Sequence, residues 1–239
     1  MKVMNAKELE WSQSKLNSKV EEVATAAGLS SKGISPITDG VYDAEKYLAS
    51  DRKVMWIMKE PYDEFTDGKP AGGGWNLVRD CFAKSDIWSS PSWQPVIYSM
   101  YGLKHGHLWN QMDWIRNDKT MADILQEIAY INVSKMPNRK VSDDGYIGKC
   151  YKIWQPILLE QIGIYAPDVI IFANTFMHFK NDLLPALIRV GDVSFENIKA
   201  GDAYRWGRKL LLDIYHPNNR TVTREVYVNS IIETITNIL

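Results

Sequence analysis

The chain has 239 residues, 45% of them hydrophobic and 24% charged, with a formal net charge of -1. That composition is too apolar for a disordered chain and fits one sizeable domain around a shared core. It also excludes a strongly basic nucleic-acid binder, so phosphate contacts, if made, must come from local clusters of Lys and Arg.

No apolar run approaches the roughly 18 to 20 residues of a membrane span, and the N-terminal segment MKVMNAKELEWSQSKL has no apolar signal-peptide region. A cytoplasmic protein with no membrane partner is expected. Cys81 and Cys150 have neither short metal-ligand spacing nor a disulfide framework and read as buried free thiols.

In chain order, residues 6 to 27 place Leu9, Leu16, Val20 and Val23 among Glu, Lys and Ala, which predicts an amphipathic helix ending at Gly28. Residues 29 to 41 read as a loop and 44 to 49 as a short helix, so residues 1 to 50 form a helical extension. Four short apolar runs follow, at 53 to 58 (KVMWIM), 128 to 133 (IAYINV), 168 to 173 (DVIIFA) and 209 to 214 (KLLLDI). Helical patterns occupy 148 to 165, where Pro156 begins or kinks the helix, then 175 to 188, and finally 221 to 239. Apolar runs alternating with helices predict strands buried on both faces. The expected class is α/β, a three-layer αβα single domain with a central four-stranded, mainly parallel sheet. Residues 86 to 118, with Trp88, Trp93, Trp109 and Trp114 among polar residues, read as an insertion or lid.

In an open parallel sheet the ligand crevice lies beyond the carboxyl ends of the strands. The residues there are Lys59-Glu60-Pro61-Tyr62-Asp63, then Asn132, Ser134 and Lys135, then Asn174, then Tyr215-His216-Pro217-Asn218-Asn219-Arg220. Breaking an N-glycosidic bond leaves positive charge on the sugar and negative charge on the departing base. An anion near the sugar and donors near the base oxygens therefore lower the barrier. Glu60, His216 and Asn132 suit the roles of anion, donor and base-reading amide, although singly each is also an ordinary loop or strand-end residue. Gly72-Gly73-Gly74 before Trp75 fits either a phosphate cradle or a turn set by close packing. His105-Gly106-His107 has ligand-type residues without acidic partners, so no metal is expected.

The segments VMWIMKEPYDE, DGKPAGGGWNLV, AYINVSKMPN, LLEQIGIYAPDVIIFAN and LLLDIYHPNNR resemble, in order, blocks of the uracil-DNA glycosylase superfamily, across most of residues 53 to 225. The first is similar to the G-Q-D-P-Y motif of the classical enzymes and the G-E-A-P-G motif of the iron-sulfur class. The motif layout is nearest to that class, yet of the cluster cysteines only Cys150 has a counterpart. His216-Pro217-Asn218 resembles the family's His-Pro-Ser motif, and Asn132 matches its pyrimidine-reading asparagine. The resemblance implies a hydrolase releasing a flipped-out pyrimidine from DNA, with Glu60 and His216 catalytic and no cofactor. Asn132, Pro61, Tyr62, Gly73 and Trp75 would hold the substrate, and Lys135, Arg139, Arg220 and Arg224 the phosphates of DNA. Met58 and Lys59 depart from the first motif and Ala71 replaces a stacking Phe, which leaves an inactive or small-nucleoside-binding relative as the alternative. Neither the oligomeric state nor the preferred base follows from the sequence.

Overall fold

The computed structural model describes residues 4–66, 69–138 and 142–239. Helix α1 (Ala6–Ala26) begins with a capping box: the Asn5 side chain accepts from the Glu8 amide and Glu8 returns a carboxylate to the Asn5 amide, each at 3.0 Å. It ends where Gly28 takes φ +64°. Strand β1 (Gly40–Val41), helix α2 (Ala44–Ala49) and strand β2 (Val54–Met58) follow, then a small hairpin of β3 (Phe65–Thr66) and β4 (Lys69–Pro70). Helices α3 (Leu77–Phe82) and α4 (Trp93–His105) lead to strand β5 (Ala129–Asn132), helix α5 (Asp144–Tyr165) and strand β6 (Val169–Ala173). Helix α6 (Phe176–Leu183), strands β7 (Leu187–Phe195), β8 (Ile198–Trp206) and β9 (Lys209–Ile214), and helix α7 (Arg224–Ile238) complete the chain.

The protein is a mixed α/β structure. Its main sheet has seven strands in the order β1-β5-β2-β6-β9-β8-β7. Strands β5, β2, β6 and β9 run parallel, whereas β1 pairs antiparallel with β5 at one edge and β8 and β7 add antiparallel strands at the other. The expectation of a four-stranded sheet is thereby corrected. Alternate residues of the inner strands feed two cores, as the two-residue period of a strand requires. Trp56, Met58, Ile171, Leu212 and Ile214 pack with residues of α3, α4 and α7. Met55, Ile57, Ile170, Phe172 and Leu211 pack with α1, α2, α5 and α6.

Two segments differ from expectation. Residues 86 to 118 supply helix α4, which buries Val96, Ile97, Tyr98 and Met100 in the first core; Trp93 lies 4.3 Å from the Tyr130 ring, centroid to centroid. Helix α4 of this segment is part of a core layer, whereas Trp114 beyond it is 56% exposed. The helix read at 175 to 188 stops at Leu183, because Pro185 follows and the chain passes through a short turn into β7. Among the described residues, no helix is long and apolar enough to cross a membrane.

Candidate active site at the carboxyl ends of the strands

The β2–β5 ladder continues past both strand ends. Val133 N–H donates to Met58 O and Ser134 N–H to Lys59 O, each at 2.8 Å, so Lys59 and Glu60 leave the sheet beside Ser134. Both Glu60 carboxylate oxygens are buried and make no short hydrogen bond; among the described residues the Ser142 hydroxyl is the donor that reaches toward them. Burial raises the Glu60 pKa; the nearby Ser142 hydroxyl and Lys59 ammonium oppose that rise, while Asp144 and Asp143 add to it. Lys59 is itself nearly buried, its Nζ 2.7 Å from Asp144 Oδ1 at the start of α5. Burial, with a smaller push from the Lys59 charge, drives the His216 pKa down to about 4. His216 is therefore neutral at pH 7. Its Nδ1 accepts the Asn218 N–H at 3.1 Å, which leaves Nε2 to carry the ring proton as a donor.

Two further groups border this carboxylate, and a third borders its cation. Cys150 and Tyr146 on α5 have pKa values raised first by burial, and both sense the Glu60 charge as well as the Ser134 hydroxyl. His178 on α6 senses Asp144 and Lys59, and burial lowers its pKa. Sequence reasoning stressed Glu60 and His216 but assigned no role to Lys59, Asp144, Tyr146 or His178. Their only prior signal was their place just beyond strands or at helix starts.

Asn132 lies one rung below this group, paired in register with Met58. Its backbone N–H donates to Asp39 Oδ2 at 2.8 Å, the residue is 2% exposed, and its side-chain Nδ2 has no partner among the described residues. Ile131 and Val133 belong to the α5-side core and Tyr130 to the other, so alternation puts the Asn132 side chain on Tyr130's face. The Glu60 carboxylate instead senses residues 142 to 144 at the start of α5. Lys135 is a correction. Its side chain is 0% exposed, and its Nζ lies 2.7 and 2.8 Å from the Asp39 carboxylate oxygens and 3.0 Å from Gln161 Oε1. An ammonium enclosed in this way is an internal counter-ion and does not meet a DNA phosphate.

Of the two readings of the glycine turn, close packing is the one the geometry supports, which corrects the placing of Gly73 against substrate. Gly72, Gly73 and Gly74 all take positive φ, between 77° and 84°. Their amides donate to Gly33 O, Asp63 Oδ2 and Pro36 O, respectively, and so are not free to cradle a phosphate. Asp63 Oδ2 also accepts the Trp75 indole N–H at 2.7 Å, which ties Trp75 to the turn. Although burial works against it, these hydrogen bonds lower the Asp63 pKa. A Cβ on Gly73 would fall 1.8 Å from Ser35 O, so close packing sets this turn.

Of the other expected site residues, Pro61 is buried and its carbonyl accepts from Asn138 N–H, while Tyr62 is 52% exposed and bridges to Asn138. Arg220 is exposed, and the exposed Arg224 donates to Gln94 Oε1. Arg139 lies outside the described residues. His105 and His107 are exposed with ring centroids 6.1 Å apart, near the end of α4.

Lys59, ion-paired with Asp144, is the charge that both the buried Glu60 and the neutral His216 sense, so side chains from β2, β9 and α5 are linked through one cation in a single group. Such a group can stabilise a developing cation through Glu60 and a developing anion through His216 and Lys59. The chain matches no protein-family model and no curated protein.

Proposed function

We propose that the protein is a hydrolase of N-glycosidic bonds that acts on a pyrimidine, uracil foremost, flipped out of DNA. The observation that carries this reading is the buried Glu60 carboxylate, which makes no short hydrogen bond beyond the approach of the Ser142 hydroxyl and shares the Lys59 charge with the neutral His216. Burying a carboxylate with so little hydrogen bonding is costly in a fold that has no use for it, and such groups collect at functional sites. As the glycosidic bond lengthens, Glu60 stabilises the sugar cation and orients the attacking water. His216 Nε2–H donates to the base oxygen that gains negative charge, and Lys59 adds its field. Asn132 keeps an unpaired Nδ2 donor of the kind a pyrimidine carbonyl accepts, on the face of the sheet opposite the α5 side that Glu60 senses. Flipping supplies the access, since the glycosidic carbon is out of reach within the stack.

A second reading is favoured by the burial of Lys135, which removes one expected phosphate contact: the same group acts on a free nucleoside. Base release measured on single- and double-stranded oligonucleotides carrying uracil or other altered bases, and on the free nucleosides, separates the two. Release from oligonucleotides supports the glycosylase; release from free nucleosides alone supports the second reading; no release from any substrate contradicts both.

A further inference from the structure

Helices α5 and α6 leave a polar groove of about 530 Å³ between them, on the side of the sheet away from α4 and α7. Glycines 145 and 148 of α5, three residues apart on one helix face, contribute no side chains to its wall. Its rim carries Lys149 and Lys152, both exposed, and among the described residues neither makes a hydrogen bond or an ion pair. Among the described lining residues the one carboxylate, Asp182, accepts from the Tyr151 hydroxyl and from Gln155 Nε2 at 2.6 Å and is outnumbered by the two lysines. The net charge offered to a ligand is therefore positive.

The groove adjoins the Glu60 group. Asp144, whose carboxylate holds Lys59, is followed directly by Gly145 in the groove wall. His178 also lines the groove, stacked on Tyr151 with ring centroids 6.2 Å apart, and its Nε2 is buried without a partner among the described residues. A strand whose flipped base sits at Glu60 meets this groove next.

We propose that the α5–α6 groove holds the nucleotide beside the flipped one, with its phosphates on Lys149 and Lys152, so that the polynucleotide strand leaves the site between these two helices. This rests on the glycosylase reading. The groove's volume accommodates one nucleotide, its two lysines outnumber its single carboxylate among the described lining residues, and its glycines allow the backbone of the strand to approach the helix closely.

The test uses the full chain and a fluorescein-labelled single-stranded oligonucleotide carrying one central uracil. Affinity is measured across a salt series and base release in parallel. Lys149→Ala with Lys152→Ala should weaken binding on the order of tenfold at low salt and reduce the salt slope by about 1.4, at roughly 0.7 for each single-strand phosphate that is no longer neutralised. Gly148→Leu fills the groove without changing charge; a Cβ there is in ordinary contact with His178 atoms at 3.6 Å, a thermal melt checks that the variant is folded, and binding should again weaken. Lys7→Ala with Lys15→Ala on α1 removes the same charge elsewhere and should leave the slope unchanged. If wild type releases uracil and both groove variants bind like wild type, the groove assignment is overturned and the glycosylase reading stands. If wild type neither binds the oligonucleotide nor releases uracil, both are overturned.

Discussion

Lys135 shows why residue type beyond a strand end is an incomplete guide. From the sequence it belongs with the basic side chains near the crevice; in the fold it is wholly enclosed with Asp39 and Gln161. Burial of this kind depends on residues far away in the chain, here 39 and 161, and no local pattern announces it. Lys135→Ala would strand a buried carboxylate and should cost about 3–5 kcal/mol in denaturant unfolding. Removing Asp39 as well should cost much less than the two single changes added together, which a double-mutant cycle would read.

Asp213 on β9 is the opposite case, a half-buried carboxyl pushed up to about 6 by burial and by Asp202, with Lys180 and Lys199 opposing. The folded form binds this proton more tightly than the unfolded chain does, so stability is lost as pH rises from about 4 to about 6. Asp213→Asn should therefore stabilise the protein at pH 7 by about 1–2 kcal/mol, after allowance for solvent screening, and have little effect below pH 4. Equal effects of the substitution at pH 3.5 and pH 7 would contradict this. His216 works in the other sense: its folded pKa of about 4 lies below the unfolded value, so its contribution is complete above about 6.5 and lost as pH falls toward 4.

At the scale of elements, the inner strands were legible because double-faced burial demands unbroken apolar runs, and the four runs became β2, β5, β6 and β9. The opening and closing helices were legible from their apolar spacing and flanking caps. The hairpin of β7 and β8 was not. Its strands are half exposed, carry Arg189, Asp192, Lys199 and Asp202 in one surface ion network, and lack a strong apolar alternation. Glu196 and Asn197 form its two-residue turn with φ +49° and +64°, a geometry usually signalled by Asn-Gly or Asp-Gly. The glycine turn at 72–74 was seen, but its two readings were separable only through contacts with Ser35 and Asp63. Gly73→Ala must relieve a contact with the Ser35 carbonyl and hold Ala at φ +82°, and should cost about 3 kcal/mol in a thermal or denaturant melt. A melt unchanged from wild type would mean that the turn moves freely.

At the scale of the whole molecule, the sheet places the strand ends that carry Glu60 and His216 along one edge, while α5 contributes the Asp144 that holds Lys59. Glu60 and His216 could be named in advance because strand order and direction alone put them there. The buried state of the carboxylate and the imidazole tautomer could not, since the first follows from packing and the second from the Asn218 N–H. With the Glu60 pKa raised above the ordinary carboxylate value and His216 neutral down to about 4, the acid limb of base release should belong to Glu60 and lie above pH 4.5. The most direct test is single-turnover release of uracil from an oligonucleotide at pH 7 by wild type and by Glu60→Gln, which keeps the shape and removes the anion. Release by wild type, slowed about 100-fold in the variant with oligonucleotide affinity retained, is the expected result. Release at equal rates by both proteins would contradict the assignment of catalysis to Glu60.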